Sequence, residues 1–265
     1  MSERDPASPV WKDPQTIVIT GASGGIGTAL AHRYARPGRT LILHGRDSGR
    51  LGALARECEA SGARVITLMF DLRDASEATR ALQAVAAEHA IDLLIVNAGV
   101  SRAIGKGEEV ETLAIAREVL AVNLDGAFAT VAAVLPGMRQ RAAGQIAIMS
   151  SLAAYFGLPI TPTYCASKAA LKAYGEALRG WLAPQGIAVS VVLSGFVRTK
   201  MTERFRGATP GALTADQAAL RIERGLAANA ARISYPRILA WGAWWLAVLP
   251  APLSQRLVRA CGYGS

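Results

Sequence analysis

The sequence predicts an α/β fold: a doubly wound parallel sheet of about seven strands with helices on both faces. Three observations lead there. Short apolar runs alternate with longer amphipathic or alanine-rich segments, the rhythm of repeated βαβ units. The strand candidates are almost continuously apolar rather than alternating, as a sheet covered on both faces requires. The 265 residues are 51% hydrophobic and 18% charged, which excludes disorder and supplies a full core for one domain.

Each element follows in order. The first strand, TIVIT (16–20), runs into a glycine turn and a helix over 26–36. TLILH (40–44) precedes a helix at 50–60, and RVITLMF (64–70) precedes one at 75–88. DLLIVNA (92–98) leads to a long helical stretch at 111–138, and QIAIMS (145–150) to a helix at 165–182. AVSVVL (188–193) and RISY (232–235) complete a Rossmann-like sheet. Between these last two strands, FVRTKMTERFRGATPGAL (196–213) is polar and contains glycine and proline. It leads to TADQ (214–217), a capping-box start for a helix near 214–228. An insertion at a strand's carboxyl end is a candidate lid, here 196–228. Residues 1–14, acidic, proline-containing and without an apolar h-region, read as a flexible tail rather than a signal peptide. The expected division is therefore a tail at 1–14, one domain at 15–237 and an apolar C-terminal segment at 238–265.

Charge and cysteines narrow the function classes. The net charge of +9 comes mostly from single arginines spread along the chain, without the basic runs and interleaved aromatics of a nucleic-acid surface. Cys58, Cys165 and Cys261 are odd in number and far apart, which argues against a disulfide framework or a metal cluster. No metal is expected, and a reducing, cytoplasmic compartment is.

The first strand enters TGASGGIG (20–27) directly before a helix. Glycines at 21, 25 and 27 allow a tight turn, close approach of a pyrophosphate and close helix–strand packing. The helix N-terminus offers free N–H groups to the phosphates. The same letters fit a G-x-S-x-G nucleophile elbow centred on Ser23. A hydrolase would then need an acid and a histidine later in the chain, and His32, His44 and His89 all lie in its first third. After the second strand, LHGRD puts Gly45 where an NAD site carries an acidic residue, followed by Arg46. A cation there suits a 2′-phosphate, so NADP(H) is favoured over NAD(H), with Asp47 as the residue that could reverse the choice.

Residues 20–27 resemble the TGxxxGxG fingerprint of the short-chain dehydrogenase/reductase family, and further motifs agree in chain order. Asp71 and Leu72 match the position that contacts adenine, Asn97-Ala98-Gly99 the signature after the fourth strand, and Asn123 the helix asparagine. Ser150-Ser151, Tyr164 with Lys168, and SGFVRT (194–199) follow. The resemblance covers about 15–235. It implies cofactor binding by Gly21, Ser23, Gly25, Ile26, Gly27, Arg46, Asp71, Leu72, Asn97, Ala98, Gly99, Tyr164, Lys168 and Thr199, and catalysis by Asn123, Ser151, Tyr164 and Lys168. It also implies a water relay at Asn123 and a carboxamide contact at Thr199.

The chemistry explains the residue types. Hydride transfer to a carbonyl builds charge on oxygen, and an acid must supply a proton. Tyrosine normally titrates at about 10, and a lysine at i+4 lies on the same helix face and favours the phenolate. Ser151, 13 residues before Tyr164, has the family's offset for binding the substrate oxygen. Ser150 is the alternative, since alternation points these neighbours in opposite directions. Ser194 departs from the family's proline at that position. Cys165 and Tyr174 read as packing.

The expected function is interconversion of a carbonyl and an alcohol on a hydrophobic, lipid-like substrate. A cofactor-binding sensor without turnover is the alternative from another class, and a sugar-nucleotide epimerase or dehydratase shares the Tyr–Lys chemistry. A homodimer or homotetramer is expected. The tail ILAWGAWWLAVLPAPL (238–253) is too short to span a bilayer. Its tryptophans and flanking arginines suit either subunit or pocket packing or peripheral membrane contact.

Overall fold

Ile17 and Ile19 face one side of the first strand and Val18 the other, and all three are fully buried. The computed structural model describes residues 9–102, 111–203, 205 and 209–263. The beginning of the expected tail (1–8) and part of the expected lid (204, 206–208) lie outside the described residues. The strands are β1 (Thr16–Ile19), β2 (Thr40–His44), β3 (Arg64–Leu68), β4 (Leu93–Val96), β5 (Gly144–Ser151), β6 (Ile187–Ser194) and β7 (Arg232–Tyr235). They pair in parallel in the order β3-β2-β1-β4-β5-β6-β7.

The helices divide between the two faces. In chain order they are α1 (Gly25–Tyr34), α2 (Ser48–Ala60), α3 (Ala75–Glu88), α4 (Leu113–Leu120), α5 (Gly126–Arg141) and α6 (Pro162–Leu182). After these come α7 (Lys200–Glu203), α8 (Ala215–Ala227), α9 (Arg237–Val248) and α10 (Ala251–Val258). Leu30 of α1, Leu54 of α2 and Ile222 of α8 share a core with Ile17, Leu41 and Ile95. Leu82 of α3, Val131 of α5 and Leu178 of α6 pack with Val18, Leu94 and Ile148 on the other face. Glu223 of α8 accepts hydrogen bonds from Arg33 and Arg36. This joins the last layer helix to the first.

Several boundaries differ from expectation, and four differences bear on the site or the tail. The helix expected at 111–138 is interrupted by a π turn at Ala121–Asp125 and continues to Arg141. The fourth strand stops at Val96, so Asn97-Ala98-Gly99 is loop. The helix expected from 165 starts at Pro162, where a fixed φ and a missing N–H suit a first helical position. The apolar tail is two helices, because Pro250 cannot continue α9 and instead precedes α10. Leu113–Arg141 is the one stretch among the described residues long and apolar enough to cross a membrane. Its most apolar window is 56% buried inside the fold, as befits a core helix.

The order 3-2-1-4 reverses direction between β1 and β4, and a crevice opens there at the strands' carboxyl ends. A cleft of about 1560 Å³ occupies it.

Candidate active site

At one end of the cleft the chain turns through Gly21 at φ +64°. A Cβ on Gly21 would lie 2.8 Å from Ala98 Cα, so both the left-handed backbone and the close approach exclude a side chain. Asn97 holds this turn. Its Nδ2 donates to Thr20 O (3.0 Å) and Gly21 O (3.1 Å), and its N–H donates to Thr20 Oγ1 (3.0 Å). Asn97 and Ala98 thus act by clamping the glycine loop. Helix α1 begins without a side-chain cap or an acidic residue in its first turn, which leaves its N–H groups for an anion. Ser23, Gly25 and Ile26 line the cleft here. Thr199 reaches across it, its Cγ2 2.4 Å from where a Cβ on Gly25 would stand.

His44 is a participant that sequence reasoning missed. It is buried under the loop, accepts from Gly21 N–H through Nδ1 (3.3 Å), bonds Phe70 O through Nε2 (3.0 Å) and stacks on the Phe70 ring. Burial pushes its pKa down, so it is a neutral peg supporting the turn. The one available signal was its place at the end of β2. With both His44 nitrogens engaged, and His32 paired with Glu57, Ser23 has neither as its general base.

The rim carries the charges. Arg46 lies 3.5 Å from Asp71, and Arg73 donates to the same carboxylate at 2.7 and 2.9 Å. Chiefly through the Arg73 bonds, the Asp71 pKa is held at about 2. Asp47 is the N-cap of α2 and accepts from Arg50 N–H (3.0 Å) and Nε (2.7 Å). Leu72 is buried beside Gly126, where a Cβ would stand 2.9 Å from Leu72 Cβ.

The polar cluster comes from β5 and α6. The Glu111 carboxylate accepts from Thr163 N–H and Thr163 Oγ1, fixing the start of α6. Tyr164 and Lys168 occupy its first two turns and line the cleft with Ser151. Burial pushes the Tyr164 phenol up to about 12, and a hydrogen bond with Ser151 opposes this in part. Burial pushes Lys168 down to about 8. Its Nζ donates to Met149 O (2.9 Å) and lies 5.7 Å from the Tyr164 ring centroid. Gly99 leaves room for this ammonium, since a Cβ there would come within 3.3 Å of it.

The two serines separate as alternation requires. Ser150 Oγ donates to Lys168 O (2.7 Å) and braces α6. Ser151 Oγ donates to Ser194 O (3.2 Å) and accepts from Ala153 N–H. Asn123, fully buried in the π turn, accepts from Val100 N–H (2.8 Å) and donates to Val100 O and Ser167 Oγ (both 3.0 Å). Ser167 Oγ in turn donates to Tyr164 O (2.7 Å). The asparagine therefore ties the loop after β4 to α6, and Ser167 is a second link missed from sequence. Cys165 is buried, with its Sγ accepting from Leu158 N–H. Tyr174 packs edge-on against Phe128.

Beyond this cluster the cleft is mostly apolar, with Thr161, Lys200, Thr202 and Asp216 among its polar lining. Leu152, Phe156 and Leu158 line it from the segment after β5, and Phe196, Met201 and Phe205 from the expected lid. Leu239, Ala243 and Leu246 of α9 close the far wall.

A sequence profile described as short chain dehydrogenase matches residues 15–209. An uncharacterized oxidoreductase of Myxococcus xanthus is 34% identical over 248 residues, 92% of this chain and 96% of that one. Human 17-beta-hydroxysteroid dehydrogenase type 1 is 34% identical over 197 residues, 72% of this chain but only 59% of that protein's length. Among solved structures, a short-chain dehydrogenase from Sphingobium yanoikuyae in complex with NADPH superposes with a TM-score of 0.76. It shares 28% identity and 92% coverage of both chains. A glycine cradle, a cleft at the sheet's reversal point and these matches lead to one conclusion: the chain belongs to the short-chain dehydrogenase family and is an NAD(P)-dependent oxidoreductase.

Proposed function

We propose that the protein interconverts a carbonyl and an alcohol on a hydrophobic, lipid-like substrate, with NADP(H) as its cofactor. The observation that carries this reading is the convergence of Tyr164, Ser151 and Lys168 between a glycine cradle and an apolar chamber. A nicotinamide cofactor in the cradle would supply or accept the hydride. Gly21, Ser23, Gly25, Ile26 and Gly27 would hold its phosphates, with Asp71 and Leu72 at adenine and Thr199 at the carboxamide. Tyr164 gives its proton to the substrate oxygen as charge grows there, and Ser151, turning its hydroxyl from Ser194 O, donates to the same oxygen. Lys168 would hold the cofactor ribose, and its ammonium would stabilise the phenolate. Asn123 would hold a water in a proton relay behind Lys168, and it keeps the two walls in register.

Support for NADP(H) comes from the rim. Arg46 is the cation beside the expected ribose position, and Asp47 is engaged as a helix cap. The structural relative in complex with NADPH agrees. Support for an apolar substrate comes from the chamber walls. The same reading takes 15–237 as one catalytic unit, assembled as a homodimer or homotetramer in a reducing, cytoplasmic compartment.

Initial rates with NADPH and NADH, using long-chain and cyclic ketones, test the cofactor and substrate assignments together. The expected result is preference for NADPH and for the more apolar ketones, with Arg46→Ala raising the KM for NADPH at least about tenfold and leaving NADH unchanged. Unchanged NADPH affinity in that variant would remove the cofactor argument.

A further inference from the structure

Helix α9 has two apolar faces, and the cleft uses only one. Leu239, Ala243 and Leu246 face the chamber. Ile238, Trp241 and Val248 point away, exposed by 85%, 64% and 52%. Their spacing makes a continuous outward stripe. Trp244 stands edge-on between Trp241 and Trp245, Leu253 of α10 extends the exposed surface, and the half-exposed Trp245 and Leu257 also border the cleft. Apolar area of this kind, left uncovered among the described residues, marks an interaction site.

Charge indicates what covers it. The chain from residue 224 to 265 contains five arginines and no aspartate or glutamate, and three of the arginines, Arg237, Arg256 and Arg259, belong to the α9–α10 region. A second copy meeting this face about a two-fold axis would bring arginines against arginines. An anionic lipid surface would neutralise them while taking up the tryptophans at headgroup depth.

We propose that α9 and α10 lay their outer face on an anionic bilayer, making α9 the wall between the lipid and the chamber that leads to Tyr164. Docked this way, the cleft receives its apolar carbonyl substrate from the membrane. The substrate clause rests on the proposed function, whereas the docking clause stands on the exposed face alone.

Flotation with phosphatidylcholine vesicles, with and without phosphatidylglycerol, tests the docking. The expected result is salt-sensitive binding to the anionic vesicles only. Trp241→Ser with Trp244→Ser, neither of which lines the cleft, should weaken it at least about tenfold. Arg256→Gln and Arg259→Gln should cost about fivefold each. A folded, NADPH-binding wild type that stays unbound would overturn the proposal. So would a dimer that the tryptophan pair dissociates without any vesicle binding, which would give the face to a second copy. Turnover of a short water-soluble ketone, measured without vesicles, reports on the oxidoreductase reading separately from docking.

Discussion

Burial acts on Lys168 and Tyr164 in opposite electrostatic senses. Each neutral form is favoured, which lowers the lysine to about 8 and raises the tyrosine to about 12. Folded Lys168 releases its proton near pH 8, whereas an unfolded lysine does so near its ordinary value of 10.5. Across that window the unfolded chain holds more protons, so stability rises with pH. The full difference is worth about 3 kcal/mol. Lys168→Met removes it, so the stability gap between variant and wild type should change by about 2 kcal/mol in the wild type's favour from pH 7.5 to 9.5. Urea unfolding of the cofactor-free protein at both pH values measures this, and a pH-independent gap would contradict it. Tyr164 adds nothing until pH passes about 10, where its raised pKa starts to work against the folded state. The i, i+4 spacing alone did not single out the pair; the glycine loop, Asn123 and Ser151 in chain order did. The Lys168–Met149 and Asn123–Ser167 contacts were not legible, because each joins residues from different elements.

At the scale of elements, the glycine loop was fully readable, since a strand, a tight turn and a helix start each leave a local signature. Gly21→Ala should cost about 1–3 kcal/mol in stability, for the left-handed backbone and the contact with Ala98. It should also weaken NADPH binding at least about tenfold, because the turn that presents the α1 N-terminus is displaced. Thermal unfolding and a fluorescence titration with NADPH give the two numbers, and unaltered binding would detach the loop from the cofactor. The π turn at Ala121–Asp125 left no such signature. It depends on Asn123 bonding Val100 across a gap of 23 residues, and an apolar periodicity of 3.6 does not report one extra residue in a turn. The break in the tail went unread, although Pro250 was its local signal. Which face of α9 met the cleft was not legible, because the helix is apolar all round and its pattern gives no direction.

For the whole molecule, the alternating apolar runs gave the number of strands, their parallel direction and the helices on both faces. The strand order follows from packing: each right-handed crossover must return to the sheet, and reversal after β3 leaves β1 between β2 and β4. That arrangement brings a loop at residue 21, a serine at 151 and a tyrosine at 164 to one cleft. In the proposed reaction this cleft transfers hydride with Tyr164 as the proton donor. Turnover of NADPH with an apolar ketone, measured beside cofactor affinity for wild type and Tyr164→Phe, tests it most directly. The expected result is a fall in kcat of about 10²–10⁴-fold in the variant with NADPH affinity unchanged. A variant that turns over at the wild-type rate, or a wild type that binds NADPH and consumes none, would contradict it.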